Sequence, residues 1–212
     1  MLYIISTPIG NLKDITKRAI ETIESLDYLL CEDSRVSGGL LKKLGIKNKP
    51  ALISFYDEVE QRKIPEIIEL LRSGKEVGLV SDAGTPLISD PGWLLVKRCQ
   101  KEGLLYTALP GANSIINAIV LSGLPPSRFS FLGFLPKRYS LKIKLLEEYS
   151  RIEGLKVCFE SPHRLERTVN DIRKVYGQVE IRVCREMTKM HETVEDGNGV
   201  FSKKGEATII FY

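Results

Sequence analysis

The sequence has no uninterrupted apolar stretch of about 18 residues or more, so nothing in it reads as a membrane-spanning helix. No basic leader precedes its first strand-like residues, Met1-Leu-Tyr-Ile-Ile5. That is not a secretory signal, and a cytoplasmic protein is expected. Histidine is scarce: His163 and His191 are the only two, too far apart to suggest a metal site, and no metal is expected. The four cysteines, Cys31, Cys99, Cys158 and Cys184, show no metal-ligand spacing. Three of them lie in apolar strand-like runs, which points to buried, reduced thiols. Gly-Lys-Ser/Thr is missing, which excludes a Walker loop, and so is Gly-x-Gly-x-x-Gly, which disfavours a standard dinucleotide site.

What is present is the composition of a globular protein, with 43% hydrophobic and 27% charged residues in 212. A chain of this length buries a core without a disulfide or metal staple. Charge is distributed unevenly. Residues 1–118 carry 15 basic and 15 acidic side chains, and residues 119–212 carry 16 and 12. The C-terminal excess suits a polyanionic partner, although ordinary surface lysines account for it equally well.

Strand-like runs at Leu2–Ser6, Tyr28–Cys31, Leu52–Phe55, Val77–Val80 and Leu105–Leu109 alternate with amphipathic segments. Those segments are Ile15–Leu26, Leu40–Leu44, Ile64–Leu71, Leu94–Cys99 and Ser114–Leu121. In the first, Ile15, Ala19, Ile20, Ile23 and Leu26 share a helical face, with Asp14 placed to cap it. Such alternation predicts an α/β fold with a mostly parallel sheet covered on both faces. Turn formers in Ser122-Gly-Leu-Pro-Pro-Ser-Arg128 suggest a hinge, giving expected domains at 1–121 and 122–212. Beyond it, strands are expected at Phe129–Phe134, Lys156–Glu160, Glu180–Cys184 and Ala207–Phe211. Helices are expected near 140–150 and 163–176, and Glu195-Asp-Gly-Asn-Gly-Val200 reads as a loop.

Loops that follow parallel strands are where open α/β sheets bind ligands. Three here are rich in glycine, proline and short polar residues: Ser6–Leu12, Ser81–Gly92 and Pro110–Ser114. Gly84, Gly92 and Gly111 allow close backbone approach or a positive φ. Together the loops fit a nucleotide-like ligand held largely by main chain, or else simply close the turns of a compact fold. Polar clusters also stand at strand ends: Glu32-Asp-Ser-Arg35, Glu160-Ser-Pro-His-Arg164 and Arg185-Glu-Met-Thr-Lys189. Singly such residues are caps or surface ion pairs; three clusters make a functional mouth.

These segments, with Phe131-Leu-Gly-Phe-Leu-Pro-Lys137, resemble the ribosomal RNA small subunit methyltransferase I family over nearly the whole chain. That family is a branch of the class III, tetrapyrrole-methylase-like methyltransferases. The resemblance implies two α/β domains with S-adenosylmethionine in the cleft between them, a homodimer, and a cytidine ribose of the decoding region of 16S rRNA in the small ribosomal subunit as acceptor. It implies cofactor contacts from Pro8, Asp82, Ala83, Gly84, Thr85, Pro110, Gly111 and Ala112. Further contacts are implied near Phe159, Glu160, Ser161, Ala207 and Thr208. The chain departs from the family in a short, glycine-containing Glu192–Lys204, in stopping at Tyr212 just after the last strand, and in Leu87, where a glycine is common. The first two bear on RNA engagement.

Methyl transfer from a sulfonium needs neither metal nor redox cofactor, and in-line positioning contributes roughly 7–11 kcal/mol. A ribose hydroxyl is a poor nucleophile, so a carboxylate that accepts its proton helps. Asp33 or Glu32 is the expected base or orienting acceptor, with Glu186 as a second candidate. Arg35 would pair with a phosphate or a carboxylate, and Arg35, Lys137, Arg138 and Arg164 would hold RNA phosphates. A structural ion pair between Glu32 and Arg35 is the plain alternative. Other functions compatible with the fold are methylation of a small molecule such as a tetrapyrrole, methylation of a protein, or non-catalytic RNA binding.

Overall fold

The computed structural model describes residues 1–199, 201–203 and 205–212. Its contacts divide the chain into two compact units, Met1–Asn113 and Ser114–Tyr212.

The N-terminal unit holds five strands: β1 (Leu2–Ile5), β2 (Tyr28–Cys31), β3 (Ala51–Ser54), β4 (Val77–Leu79) and β5 (Tyr106–Leu109). They form one sheet in the order β3-β2-β4-β1-β5, every pair parallel. Four helices connect them: α1 (Lys17–Ser25), α2 (Ser34–Lys43), α3 (Asp57–Arg72) and α4 (Trp93–Lys101). Strand periodicity explains the layering. Leu2, Ile4, Leu30 and Leu79 point to one face, where Ile64, Ile67, Ile68 and Leu71 of α3 and Leu95 and Cys99 of α4 cover them. Ile5, Leu29 and Cys31 point to the other, under Ala19 and Ile23 of α1 and Leu41 of α2. The parallel, doubly covered sheet is therefore the one that the alternation predicts.

Two local expectations are corrected. Asp14 does not cap α1: Leu12–Asp14 form a 3-10 turn, Ile15 is extended, and the Thr16 side chain accepts from Ala19 N at 3.0 Å. Likewise α2 begins at Ser34, six residues before the expected Leu40, because Asp33 serves as its N-cap.

The C-terminal unit opens with α5 (Ser114–Ser122), which packs on the second sheet. The hinge was expected at 122–128, whereas the contacts divide the chain ahead of this helix. The sheet order is β6-β7-β10-β8-β9, from β6 (Phe129–Phe134), β7 (Leu155–Glu160), β8 (Ile181–Arg185), β9 (Thr193–Asp196) and β10 (Ala207–Phe211). Only β6 and β7 are parallel; β7–β10, β10–β8 and β8–β9 are antiparallel. Helices α6 (Tyr139–Ser150) and α7 (Leu165–Tyr176) bring Leu146, Leu165, Val169 and Ile172 onto Cys158, Ile181, Val183, Ile209 and Phe211. Glu195 and Asp196, expected in a loop, belong to β9, which pairs with Arg182–Arg185; Gly197 and Asn198 make the turn after it. Val200 of that segment, and Lys204 at the end of the short Glu192–Lys204 stretch, lie outside the described residues.

All four cysteines are buried and free. Burial pushes the thiols up, to about 11 at Cys99 and about 12 at Cys184, so they pack as small apolar groups. Among the described residues no helix is long and apolar enough to cross a membrane, and no cluster of three or more potential ligands could hold a metal ion.

Candidate active site

Because the first sheet is wholly parallel, the loops after β1, β2, β4 and β5 leave from one edge. They are bonded to one another there. Thr7 and Gly84 exchange backbone hydrogen bonds of 2.8 and 3.0 Å, tying the loop after β1 to that after β4. The Thr7 hydroxyl donates to the Ser81 carbonyl at 3.2 Å. Ser6 and Thr85 hydroxyls lie 3.0 Å apart, and Thr85 donates to the Ala112 carbonyl at 3.0 Å, which adds the loop after β5. Gly111 is forced to be glycine by Ser6: a Cβ there would stand 2.7 Å from Ser6 Cβ. Asp82, Ala83, Pro110 and Gly111 stay exposed above these ties, offering main chain and one carboxylate.

The far end of the Ser81–Gly92 loop is held from α3. Buried Glu60 places one oxygen, Oε1, 3.0 Å from Gly92 N, 3.2 Å from Leu94 N and 3.4 Å from Leu95 N. Helix α4 has no cap of its own, so a carboxylate from another helix fills the role. Within the loop Leu87 (φ 73) and Ser89 (φ 69) adopt the left-handed conformation. A glycine at position 87 would take that conformation without strain.

The expected base candidates separate clearly. Asp33 caps α2 through Arg35 N at 2.8 Å and grips the Arg35 guanidinium with both oxygens, at 3.0 and 2.6 Å. That grip lowers its carboxyl to about 2. Arg35 is thus paired with Asp33, not with Glu32 as the plain alternative had it. Glu32 accepts from Asp82 N at 3.3 Å, while Asp33 N donates to Asp82 Oδ1 at 3.4 Å, linking the loops after β2 and β4. Burial, then the Asp90 charge, raises Glu32 above the usual carboxylate range. Asp90, not singled out from the sequence, is pushed up to about 6, mainly by burial.

In the C-terminal unit Glu186 accepts from Glu206 N at 3.0 Å and from Lys189 Nζ at 3.1 Å. The backbone donor leads in holding its carboxyl below the usual range. Register brings Phe159 opposite Thr208 and Glu160 opposite Ala207. The Glu160 side chain is buried, accepting from Ser161 N at 2.7 Å and the Thr168 hydroxyl at 2.7 Å, and pairing with Arg164 at 2.5 Å. Lys142 continues the network, 3.1 Å from Thr168 Oγ1 and 2.7 Å from Asp171. Arg164 is therefore engaged internally, whereas Lys137 and Arg138 are exposed and have no ion-pair partner among the described residues. His163 lies in the turn that leads into α7.

Sequence reasoning missed Glu60, Asp90 and the Lys142–Thr168–Glu160 network. A glutamate on an amphipathic helix looks like a solvated face, and nothing local marks it as a cap for a helix some 30 residues on.

A parallel sheet with glycine-rich loops gathered at its strand ends is joined in one chain to a mixed sheet. A sequence model of the tetrapyrrole (corrin/porphyrin) methylases matches residues 1–199, and the chain belongs to that family. Within it, the chain is similar to the ribosomal RNA small subunit methyltransferase I proteins. That of Thermotoga maritima is 43% identical over 217 residues, covering 99% of this chain and 96% of that protein. The Haemophilus influenzae protein is 44% identical over 195 residues, covering 92% of this chain and 68% of its own length. The Hydrogenobaculum protein is 44% identical over 197 residues, covering 93% and 85%.

Proposed function

We propose that the chain transfers a methyl group from S-adenosylmethionine to the 2′-hydroxyl of a cytidine ribose in the decoding region of 16S rRNA. We place it in the cytoplasm, as a homodimer. The reading rests on the interlocked loop set of the N-terminal unit, together with relatives that are named ribosomal RNA small subunit methyltransferases.

The donor set suits the cofactor. Exposed main chain at Ala83, Pro110 and Gly111 approaches a nucleoside without steric obstruction, and the Asp82 carboxylate can accept from hydroxyl or ammonium donors. Pro8, Gly84, Thr85 and Ala112 supply the rigid base beneath it. Bound there, S-adenosylmethionine supplies a methyl group already activated by its sulfonium. The residues have to orient, exclude water and take up one proton.

Of the three carboxylates read as bases, Glu32 is the one suited to accept the 2′-hydroxyl proton, since burial raises its affinity for protons. Asp33 positions Arg35 instead, and Arg35 is free to face a phosphate with its remaining donors. Lys137 and Arg138 are available for RNA phosphates without breaking an ion pair.

The test is incubation with labelled S-adenosylmethionine and small ribosomal subunits from a strain without the endogenous activity, then mass spectrometry of nuclease fragments. Label on a decoding-region cytidine ribose is expected. Cofactor binding with label on a base, a protein or nothing would overturn the assignment of the acceptor.

A further inference from the structure

The helical face of the C-terminal unit carries a second cluster that cofactor and base assignments do not use. Tyr139, the first residue of α6, is 46% exposed. Two cations from α7 sit by its ring: the Arg167 guanidinium carbon and Lys174 Nζ are each 5.9 Å from the ring centroid. Both are exposed, and their spacing of seven residues puts them on one face of α7. Beside the ring an open groove of about 540 Å³ runs between α6 and α7, with Ile143 and Val175 apolar and Arg151 and Lys174 basic. Glu147 also lines it. Asp171, on α7, is buried and paired at 2.7 Å with buried Lys142, so its 3.6 Å contact with Lys174 leaves that cation largely outward-facing. Lys137 and Arg138 lead into α6, both exposed.

We infer that this α6–α7 face docks single-stranded RNA, with Tyr139 as a stacking surface for one base and Arg151, Arg167 and Lys174 tracking the adjacent phosphates. Charge selects the occupant: the unit carries 16 basic and 12 acidic side chains, and three of the basic ones (Arg151, Arg167 and Lys174) stand at this ring and groove, with exposed Glu147 as the one acidic residue in the groove lining. An aromatic ring held between cations matches a polyanion whose bases offer flat π faces. An apolar protein partner would desolvate Arg151, Arg167 and Lys174 without supplying the counter-charge that a phosphate backbone brings. The inference rests on RNA being the acceptor, and it assigns Tyr139, Arg151, Arg167 and Lys174 as a contact surface beyond Lys137 and Arg138.

The experiment measures binding of the full chain to unmodified, in vitro transcribed 16S rRNA over a series of salt concentrations, with S-adenosylmethionine binding measured by calorimetry in parallel. Arg167→Gln/Lys174→Gln should weaken RNA binding about tenfold at low salt and flatten the salt dependence by about 1.4 in log–log slope. Tyr139→Ala should weaken it by about fivefold or more with the slope unchanged. Lys17→Gln, on an exposed residue of α1, should change neither, and cofactor binding should persist in every variant. If wild-type protein binds RNA and both patch variants match it in affinity and slope, the docking face is wrong while the RNA reading stands. Wild-type protein that binds cofactor but no RNA would sink both.

Discussion

Glu60 holds Gly92: the carboxylate of one helix lies 3.0 Å from the amide that opens the next, and the same oxygen reaches Leu94 N and Leu95 N. Gly92 has φ 126, and a Cβ there would collide with Leu79 and Leu87, so no larger residue can supply the cap from that position. The Ser81–Gly92 loop is thereby fixed at both ends, at Gly84 by Thr7 and at Gly92 by Glu60.

Glu60→Ala should destabilise the protein by about 2–3 kcal/mol, because it removes a cap and leaves buried donors unpaired. Urea unfolding measures this, and Glu60→Gln, which keeps an acceptor oxygen, should recover about half. Equal stability of Glu60→Ala and wild type would show that the amides find other partners.

At Leu87 two effects oppose each other. The side chain packs against the first core cluster, while φ 73 strains any residue with a Cβ. Leu87→Gly should therefore fall within about 1 kcal/mol of wild type, strain relief of about 1–2 kcal/mol offsetting lost packing. Leu87→Val changes little volume but puts a β-branch on a left-handed backbone, and it should cost about 2 kcal/mol or more. Thermal unfolding separates the two.

Gly111→Ala brings a methyl within 2.7 Å of Ser6 Cβ. The clash should cost about 1–3 kcal/mol and weaken S-adenosylmethionine binding, read by calorimetry. Adding Ser6→Gly should restore part of the loss; simple additivity would mean that the two residues do not press on one another.

Asp90 gives a pH dependence with a definite sign. Its folded pKa of about 6 lies above the ordinary 3.8, so the native state holds the proton more tightly than the unfolded chain. Stability from this group is highest below about pH 4 and is lost as pH rises through 6. Asp90→Asn should then be more stable than wild type at pH 8, by about 1–2 kcal/mol, with the gap closing toward pH 4. Denaturant midpoints at the two pH values check it, and a gap that widens in acid would reverse the assignment.

Among the acids, Glu32→Gln should lower kcat by about 10²–10⁴-fold with S-adenosylmethionine affinity retained. Asp33→Asn and Glu186→Gln should remain within about tenfold of wild type. Because Glu32 is raised, wild-type kcat should also fall in mild acid as that carboxyl takes up its proton. Normal turnover by Glu32→Gln would move the role to another group.

The sequence by itself determined the alternation of the N-terminal unit and the positions of the loops at its strand ends. Strands buried on both faces, such as Tyr28–Cys31 and Val77–Leu79, are apolar along their whole length, and the glycine- and proline-rich segments can only be turns. Those are local properties, fixed by side-chain period and backbone freedom. Tertiary structure alone decided which charged groups are available. Glu32, Asp33 and Glu186 look alike in sequence, yet one is desolvated, one is clamped by Arg35 and one is held by Glu206 N. Glu160 and Arg164 read as a strand-end mouth but close on one another over Thr168. Strand β9 was hidden because its residues, Thr-Val-Glu-Asp, gain their order from the β8 ladder rather than from an apolar pattern. Helix α5 could join either neighbour until its packing on β8 and β10 chose the second sheet. Hydrogen-bond partners tens of residues apart and desolvation by distant segments are set by packing, and no local pattern encodes them.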